Sequence, residues 1–388
     1  MTSNKIRNFL LALSSLVILS GCQVQYKDTP PKPIVNTDSA RKNGEAEMSN
    51  FIYGFRGQMW GVKDKEQVTN MIRNANVDWF GQQVRWEDIE IRKGNYDWSE
   101  LDAIVKTCQE SGLKLILHVL GAPEWTRKDP KYSYPNNPED FGSFMRTLAS
   151  RYGGRVDGYE LLNEANIADE VGPGNFDPCL FSRLLMTGHE AVKYADPLAF
   201  TISGALTPTG VMDERGQDDA YYLDALYRCL NGKLPTDYLG AHANMANNPP
   251  EDTPEKNTTA INLEGYTTSY KGHPSFYLIR LLQLHDIMEK YGDADKLIFV
   301  TEGGWASSIN PHPRYIFATD NTEEEQAVYL TRALGIMKGW PVAGWMIWNL
   351  NYGKFTDPLD SFGLYAYSVL DADGNPRPAY YRIQDTLK

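Results

Sequence analysis

Histidine and cysteine are scarce in this chain, with six and four among 388 residues. The histidines are scattered and none falls in the first apolar strand-like run, where a metal-dependent barrel hydrolase would need a pair. Metal hydrolysis is therefore disfavoured, and neither a metal nor a cofactor is expected. No glycine-rich turn follows that first run, so the phosphate cradle of a doubly wound sheet is missing. No basic patch stands out against 38 basic and 50 acidic residues, a net charge of −12, and nucleic acid is not an expected partner. The apolar run Phe9 to Leu19 is too short to span a bilayer.

That run has another reading. Lys5 and Arg7 precede it and Leu19-Ser20-Gly21-Cys22 ends it, the layout of a secretory signal whose end resembles the lipobox of bacterial lipoproteins. The expectation is a signal peptide over residues 1–21 and lipidation at Cys22. A flexible tether over 22–50, carrying Pro30, Pro31 and Pro33 without any apolar period, would then join anchor to domain. The protein would sit outside the cytoplasm, on the cell surface or in the periplasm, meeting the membrane only through that lipid.

With 42% hydrophobic and 23% charged residues overall, the chain can bury a large core. From Phe51 onward, strand-like and helical periods alternate. Strands are expected near 51–60, 77–85, 113–120, 156–164, 199–206, 237–243, 297–302 and 344–349. Helices are expected at 64–75, 99–111, 138–152, 180–195, 219–230, 275–290, 322–338 and 377–387. Ser99 is a plausible cap for the second helix and Gly112 stops it. Eight such units predict one α/β domain over 51–388, a single (β/α)8 TIM barrel. Helices of such a barrel run antiparallel to their strands. Cys179 opens one helix while Cys108 and Cys229 lie near the ends of two others, so the expectation is three buried thiols and no disulfide.

Two short stretches carry chemistry: Leu161-Leu162-Asn163-Glu164-Ala165-Asn166 and Phe299-Val300-Thr301-Glu302-Gly303-Gly304-Trp305. Each ends an apolar run with a carboxylate, at strands four and seven. Matched strand ends of one barrel would bring Glu164 and Glu302 face to face, the minimum equipment for cleaving a glycosidic bond. With Arg85 after strand two and Trp348 after strand eight, these residues resemble clan A retaining glycoside hydrolases, closest to family 39 and its exopolysaccharide-hydrolase relatives, with family 5 next. The phrases Gln83-Val84-Arg85-Trp86-Glu87-Asp88, Gly94-Asn95-Tyr96-Asp97-Trp98 and Asp371-Ala372-Asp373-Gly374-Asn375-Pro376 are similar to the same families.

The resemblance implies an acid/base role for Glu164 and a nucleophilic role for Glu302. Glu302 then needs a low pKa, which Arg85 could supply by touching it; the competing reading pairs Arg85 with Glu87 or Asp88. Asn163 would donate its amide to the sugar 2-hydroxyl, or else cap a strand end. His242 would stand against the nucleophile, and His118 would line the cleft, though either could be a packed ring. Trp348 is the expected platform beneath the scissile sugar, with Trp305 and Trp125 as further candidates, while Trp79, Trp98 and Trp340 are assigned to packing. The long connection at about 244–273, with Tyr266 and Tyr270, and the segments 311–315 and 352–355 would wall the groove. The sequence thus predicts a retaining glycosidase acting on a β-linked poly- or oligosaccharide, with a monomer favoured. The alternative is a glycan-binding surface lipoprotein that would not need both carboxylates.

Overall fold

The computed structural model describes residues 51–129, 131–256, 273–352 and 364–388. The expected signal peptide, Cys22 and the tether lie outside the described residues, as do Tyr266, Tyr270 and Gly353 to Phe355.

Eight parallel strands form one sheet: β1 (Ile52–Gly57), β2 (Trp79–Arg85), β3 (Lys114–Leu120), β4 (Gly158–Leu161), β5 (Phe200–Ser203), β6 (Leu239–Asn244), β7 (Ile298–Gly304) and β8 (Val342–Trp348). The hydrogen-bonded order is β5-β4-β3-β2-β1-β8-β7-β6. Across the remaining seam, bridges Ile202 to Tyr238 and Leu206 to Ala241 close the barrel. Gly240 permits that closure, since a Cβ there would lie 2.0 Å from the Ser203 carbonyl oxygen. The long helices that follow the strands are α1 (Lys65–Asn74), α2 (Ser99–Glu110), α3 (Pro138–Tyr152), α4 (Pro178–Ala195), α5 (Asp219–Leu230), α6 (Arg280–Lys290), α7 (Glu323–Met337) and α8 (Pro378–Thr386). The eight-unit (β/α)8 expectation is met. Asp64, Asn137, Asp177, Asp218 and Thr322 cap their helices through side-chain oxygens. Thr322 and Glu325 form a reciprocal capping box.

The inside of the barrel changes character along its axis. Ile116, Ile202, Phe299 and Met346 make an apolar cluster. Two residues further along β3 comes His118, whose register partner on β4 is Glu160. At this level the interior also holds Arg56, Gln82 and Thr301, all buried. Charge inside a barrel is tolerated only when it is paired, and the pairs point toward the carboxyl ends of the strands.

The cysteine expectation is overturned. Cys179 and Cys229 form a disulfide with Cα atoms 5.0 Å apart, and among the described residues Cys108 is the buried free thiol. Phe181 in the opening turn of α4 also contacts Tyr222 near the start of α5, with ring centroids 6.2 Å apart. One turn of α4 thus reaches both ends of α5, which lies across it rather than alongside. The idealised picture of helices in register around a barrel placed these two cysteines at opposite rims.

Candidate active site

Glu164 does not end a strand as expected. β4 stops at Leu161, and the chain turns through Leu162 (φ 72°) and Glu164 (φ 40°), both in the left-handed region. Such backbone persists only where its surroundings hold it. Here the Glu164 amide donates to the Ala205 carbonyl at 2.9 Å. Asn166, wholly buried, fastens the same turn to the loop after β5, donating to Thr207 and Gln217 carbonyls and accepting from the Thr207 amide.

Glu302 lies within β7 at an irregularity. Ala241 pairs with Val300 but His242 pairs with Glu302, so Thr301 is an extra residue. A bulge lets consecutive side chains share a face: Thr301 donates to Glu160 at 2.7 Å while Glu302 meets Arg56, both inside the barrel. One oxygen each of Glu164 and Glu302 and a ring nitrogen of His242 all lie within 4.8 Å of one another. His242 sits between the carboxylates, with Nδ1 2.7 Å from Glu164 Oε1 and Nε2 3.9 Å from Glu302 Oε1.

The cation beside Glu302 is Arg56 of β1, not Arg85. Its Nη1 stands 2.7 Å from Glu302 Oε1 and 3.6 Å from Glu160 Oε2, and its guanidinium carbon lies 5.3 Å from the centre of the Trp348 ring. The side chain is fully buried, and no described acceptor lies along a hydrogen-bond direction from its side-chain nitrogens, so it acts by charge. Arg85 instead forks onto Glu87, with Nε at 2.8 Å, the competing reading. Arg127 meets the other oxygen of Glu87.

Glu302 is not held low as expected. Burial pushes its pKa up, the charges of Glu164 and Glu160 add to that, and Arg56 and His242 oppose it. Burial works against charge on His242, yet Glu302 and Glu164 raise its pKa overall. Below them, Glu160 is buried, but the hydrogen bond and charge of His118 with the charge of Arg56 hold it at about 2. His118 is no cleft-lining group. It is 1% exposed, bonds Glu160 Oε2 at 2.6 Å, and is pushed down to about 4 by burial and by Arg56. Neutral His118 and ionised Glu160 therefore form the supports of Arg56.

Asn163 is buried beside the turn and donates Nδ2 to Glu170 at 3.0 Å. Trp348 is 6% exposed and packs against Tyr352 with ring centroids 4.8 Å apart. The substrate-binding reading of Trp305 fails, because it is fully buried and donates to the Asn248 carbonyl at 2.8 Å. Strand-end position does not fix which way a ring points after two glycines. Trp125 packs edge-on against Trp86 and carries Lys93 over its face at 5.5 Å, so one face is already covered.

Three site residues escaped the sequence reading: Arg56, Glu160 and Glu170. The first two left a signal, a charge inside an otherwise apolar run in Ile52–Gly57 and in Gly158–Leu161. Among the described residues, only Glu164, His242 and Glu302 group as candidate metal ligands. Arg56 already places its charge against Glu302, which disfavours a second cation there.

A family model for cellulase, glycosyl hydrolase family 5, matches residues 40–195. Among solved structures, a family 39 glycoside hydrolase from the gut symbiont Bacteroides cellulosilyticus superposes with a TM-score of 0.62 at 22% identity, over 87% of this chain and 64% of that one. The two share the (β/α)8 barrel fold. Xylanase 10B from Thermotoga petrophila, solved with xylobiose, gives a TM-score of 0.57 at 16% identity over 87% of this chain and 94% of that one. An exo-β-1,4-mannosidase from an Opitutaceae bacterium gives 0.55 at 15% identity, over 87% and 59%. The chain thus spans less than two thirds of the family 39 and mannosidase chains.

Proposed function

We propose that this barrel hydrolyses a β-linked poly- or oligosaccharide with retention of anomeric configuration, Glu302 attacking and Glu164 serving as acid/base. The observation that carries the reading is the approach of the two carboxylates, whose oxygens come within 4.8 Å. Double displacement needs carboxyl groups about 5–5.5 Å apart, whereas inversion needs about 6.5–9.5 Å to admit a water. In the first step a Glu302 oxygen bonds the anomeric carbon as the bond to the leaving oxygen breaks, and Glu164 gives that oxygen its proton. In the second, Glu164 takes a proton from water, water attacks the anomeric carbon, and Glu302 leaves as carboxylate.

The surroundings suit both steps. The charge of Arg56 opposes the burial that pushes Glu302 up and so favours the ionised nucleophile. Esterifying Glu302 removes its negative charge from the cleft, and Glu164 then serves as the base toward water. His242 holds Glu164 Oε1, and no described donor binds the other oxygen, which is left for the leaving group. Trp348, lying against Arg56 beside the nucleophile, is the platform for the sugar. A barrel that only bound glycan would have no use for a buried arginine supporting a second carboxylate.

We place the protein outside the cytoplasm, tethered through lipid on Cys22; the Cys179–Cys229 disulfide agrees with an oxidising compartment. The test uses aryl β-glycosides. Glu302→Ala abolishes turnover, and Glu164→Ala cleaves only substrates with activated leaving groups. Near wild-type turnover by Glu302→Ala rejects the assignment.

A further inference from the structure

A third carboxyl group reaches this cleft and has no part in the two steps above. Glu170 belongs to a one-turn helix, Ala168–Val171, in the loop after β4. Its backbone is pinned from both sides: the Ser133 amide donates to the Glu170 carbonyl at 3.0 Å, and the Ala168 amide donates to the Arg215 carbonyl at 2.9 Å. Its side chain takes one N–H of Asn163, the residue preceding Glu164. Asn163 is 6% exposed, and its Oδ1 is buried without a donor. A buried carbonyl left unpaired is costly, and half a turn about the terminal torsion exchanges the two ends of a carboxamide.

We propose that Glu170 is a positioning residue that sets which end of the Asn163 amide is offered to the sugar's C2 substituent, according to whether Glu170 carries a proton. Ionised Glu170 can only accept, so it holds Nδ2 and leaves Oδ1 to accept from a hydroxyl. Protonated Glu170 donates to Oδ1, which satisfies that atom and frees both N–H groups to donate to the substrate. The groups facing Glu170 are Glu164 and Glu302 across the cleft, Arg85 from the end of β2, and the buried Tyr134 hydroxyl from the loop after β3. Burial and the Glu164 charge push the carboxyl up to about 7, with Glu302 adding while Asn163 and Arg85 oppose. Both proton states are thus populated near neutral pH.

The proposal rests on the glycosidase reading, so the test has one readout with substrate and one without. The first is the ratio of kcat/KM for 2,4-dinitrophenyl β-glucoside to that for its 2-deoxy analogue, followed across pH. In the wild type the ratio changes sigmoidally near neutral pH. Glu170→Gln flattens it, and Glu170→Ala lowers it by about tenfold to a hundredfold, the effect of a lost hydrogen bond to a charged partner. A ratio unchanged by both variants overturns the proposal. Should the wild type cleave no glycoside at all, the glycosidase reading fails while the second readout still decides. In protein with 13C-labelled glutamate carboxyl groups, one resonance lost in Glu170→Gln titrates near neutral pH and shifts its midpoint in Asn163→Ala. An unmoved midpoint overturns the proposal.

Discussion

Replacing Arg56 with methionine removes the guanidinium placed against Glu302 while keeping much of the side chain's bulk beside Trp348. The guanidinium stands 2.7 Å from Glu302 and 3.6 Å from Glu160, and its own side chain is fully buried, so solvent screens it little. An opposite charge within about 4–6 Å lowers a carboxyl by about one to three pH units. Burial, Glu164 and Glu160 already push Glu302 up, and without Arg56 only His242 opposes them. The nucleophile must be ionised, so activity is lost as pH falls through the Glu302 pKa. Raising that pKa moves the loss to higher pH. The expected result is an acid limb of kcat/KM displaced upward by about one to three pH units, with activity below the new limb lower by about tenfold per unit. Removing one partner of a buried ion pair also destabilises by about 3–5 kcal/mol, so the profile is measured where urea titration shows the variant folded. An acid limb that stays where it is in a folded variant refutes the role given to Arg56.

Two further consequences concern stability. The Cys179–Cys229 bridge closes a separation of 50 residues, for which loop entropy gives about 4 kcal/mol; Cys179→Ser with Cys229→Ser should lower Tm by several degrees and leave kcat unchanged, and an unmoved Tm contradicts this. His118 titrates at about 4 in the fold, below its ordinary 6.5, so its contribution is complete above pH 6.5 and lost as pH falls toward 4. Glu160, at about 2 against an ordinary 4.5, extends the loss from pH 4.5 downward. Glu170, pushed up to about 7, shifts stability the opposite way between pH 7.5 and 5, so the urea midpoint is read against His118→Gln: wild type should lose more stability than the variant from pH 7.5 to 5, and equal changes in the two count against the buried neutral histidine.

The barrel was legible because alternating periods and helix caps are local signals: the strand and helix spans expected from periodicity overlap those observed. Glu164 and Glu302 were found as carboxylates ending apolar runs, but their exact setting was not. The left-handed turn after Leu161 is held by Ala205 and, through Asn166, by Thr207 and Gln217, while Thr301 at the bulge meets Glu160, all partners far away in sequence. Arg85 stands at a strand end, where barrel chemistry is expected, whereas Arg56 lies inside the buried run of β1, where a charge is itself the sign of a paired site. Trp305 misled for a related reason, since position along a strand says little about which side of the sheet a ring takes after a bulge. The disulfide required the true crossing of α4 and α5, which tertiary packing sets and periodicity cannot.

The central claim is double displacement at Glu302, and the stereochemistry of the first-formed product tests it most directly. Hydrolysis of a β-linked oligosaccharide followed by 1H NMR, before mutarotation, should show the β-anomer appearing first, with a 2-deoxy-2-fluoro glycoside trapped on the peptide that carries Glu302. First appearance of the α-anomer, with no label on that peptide, would contradict the account.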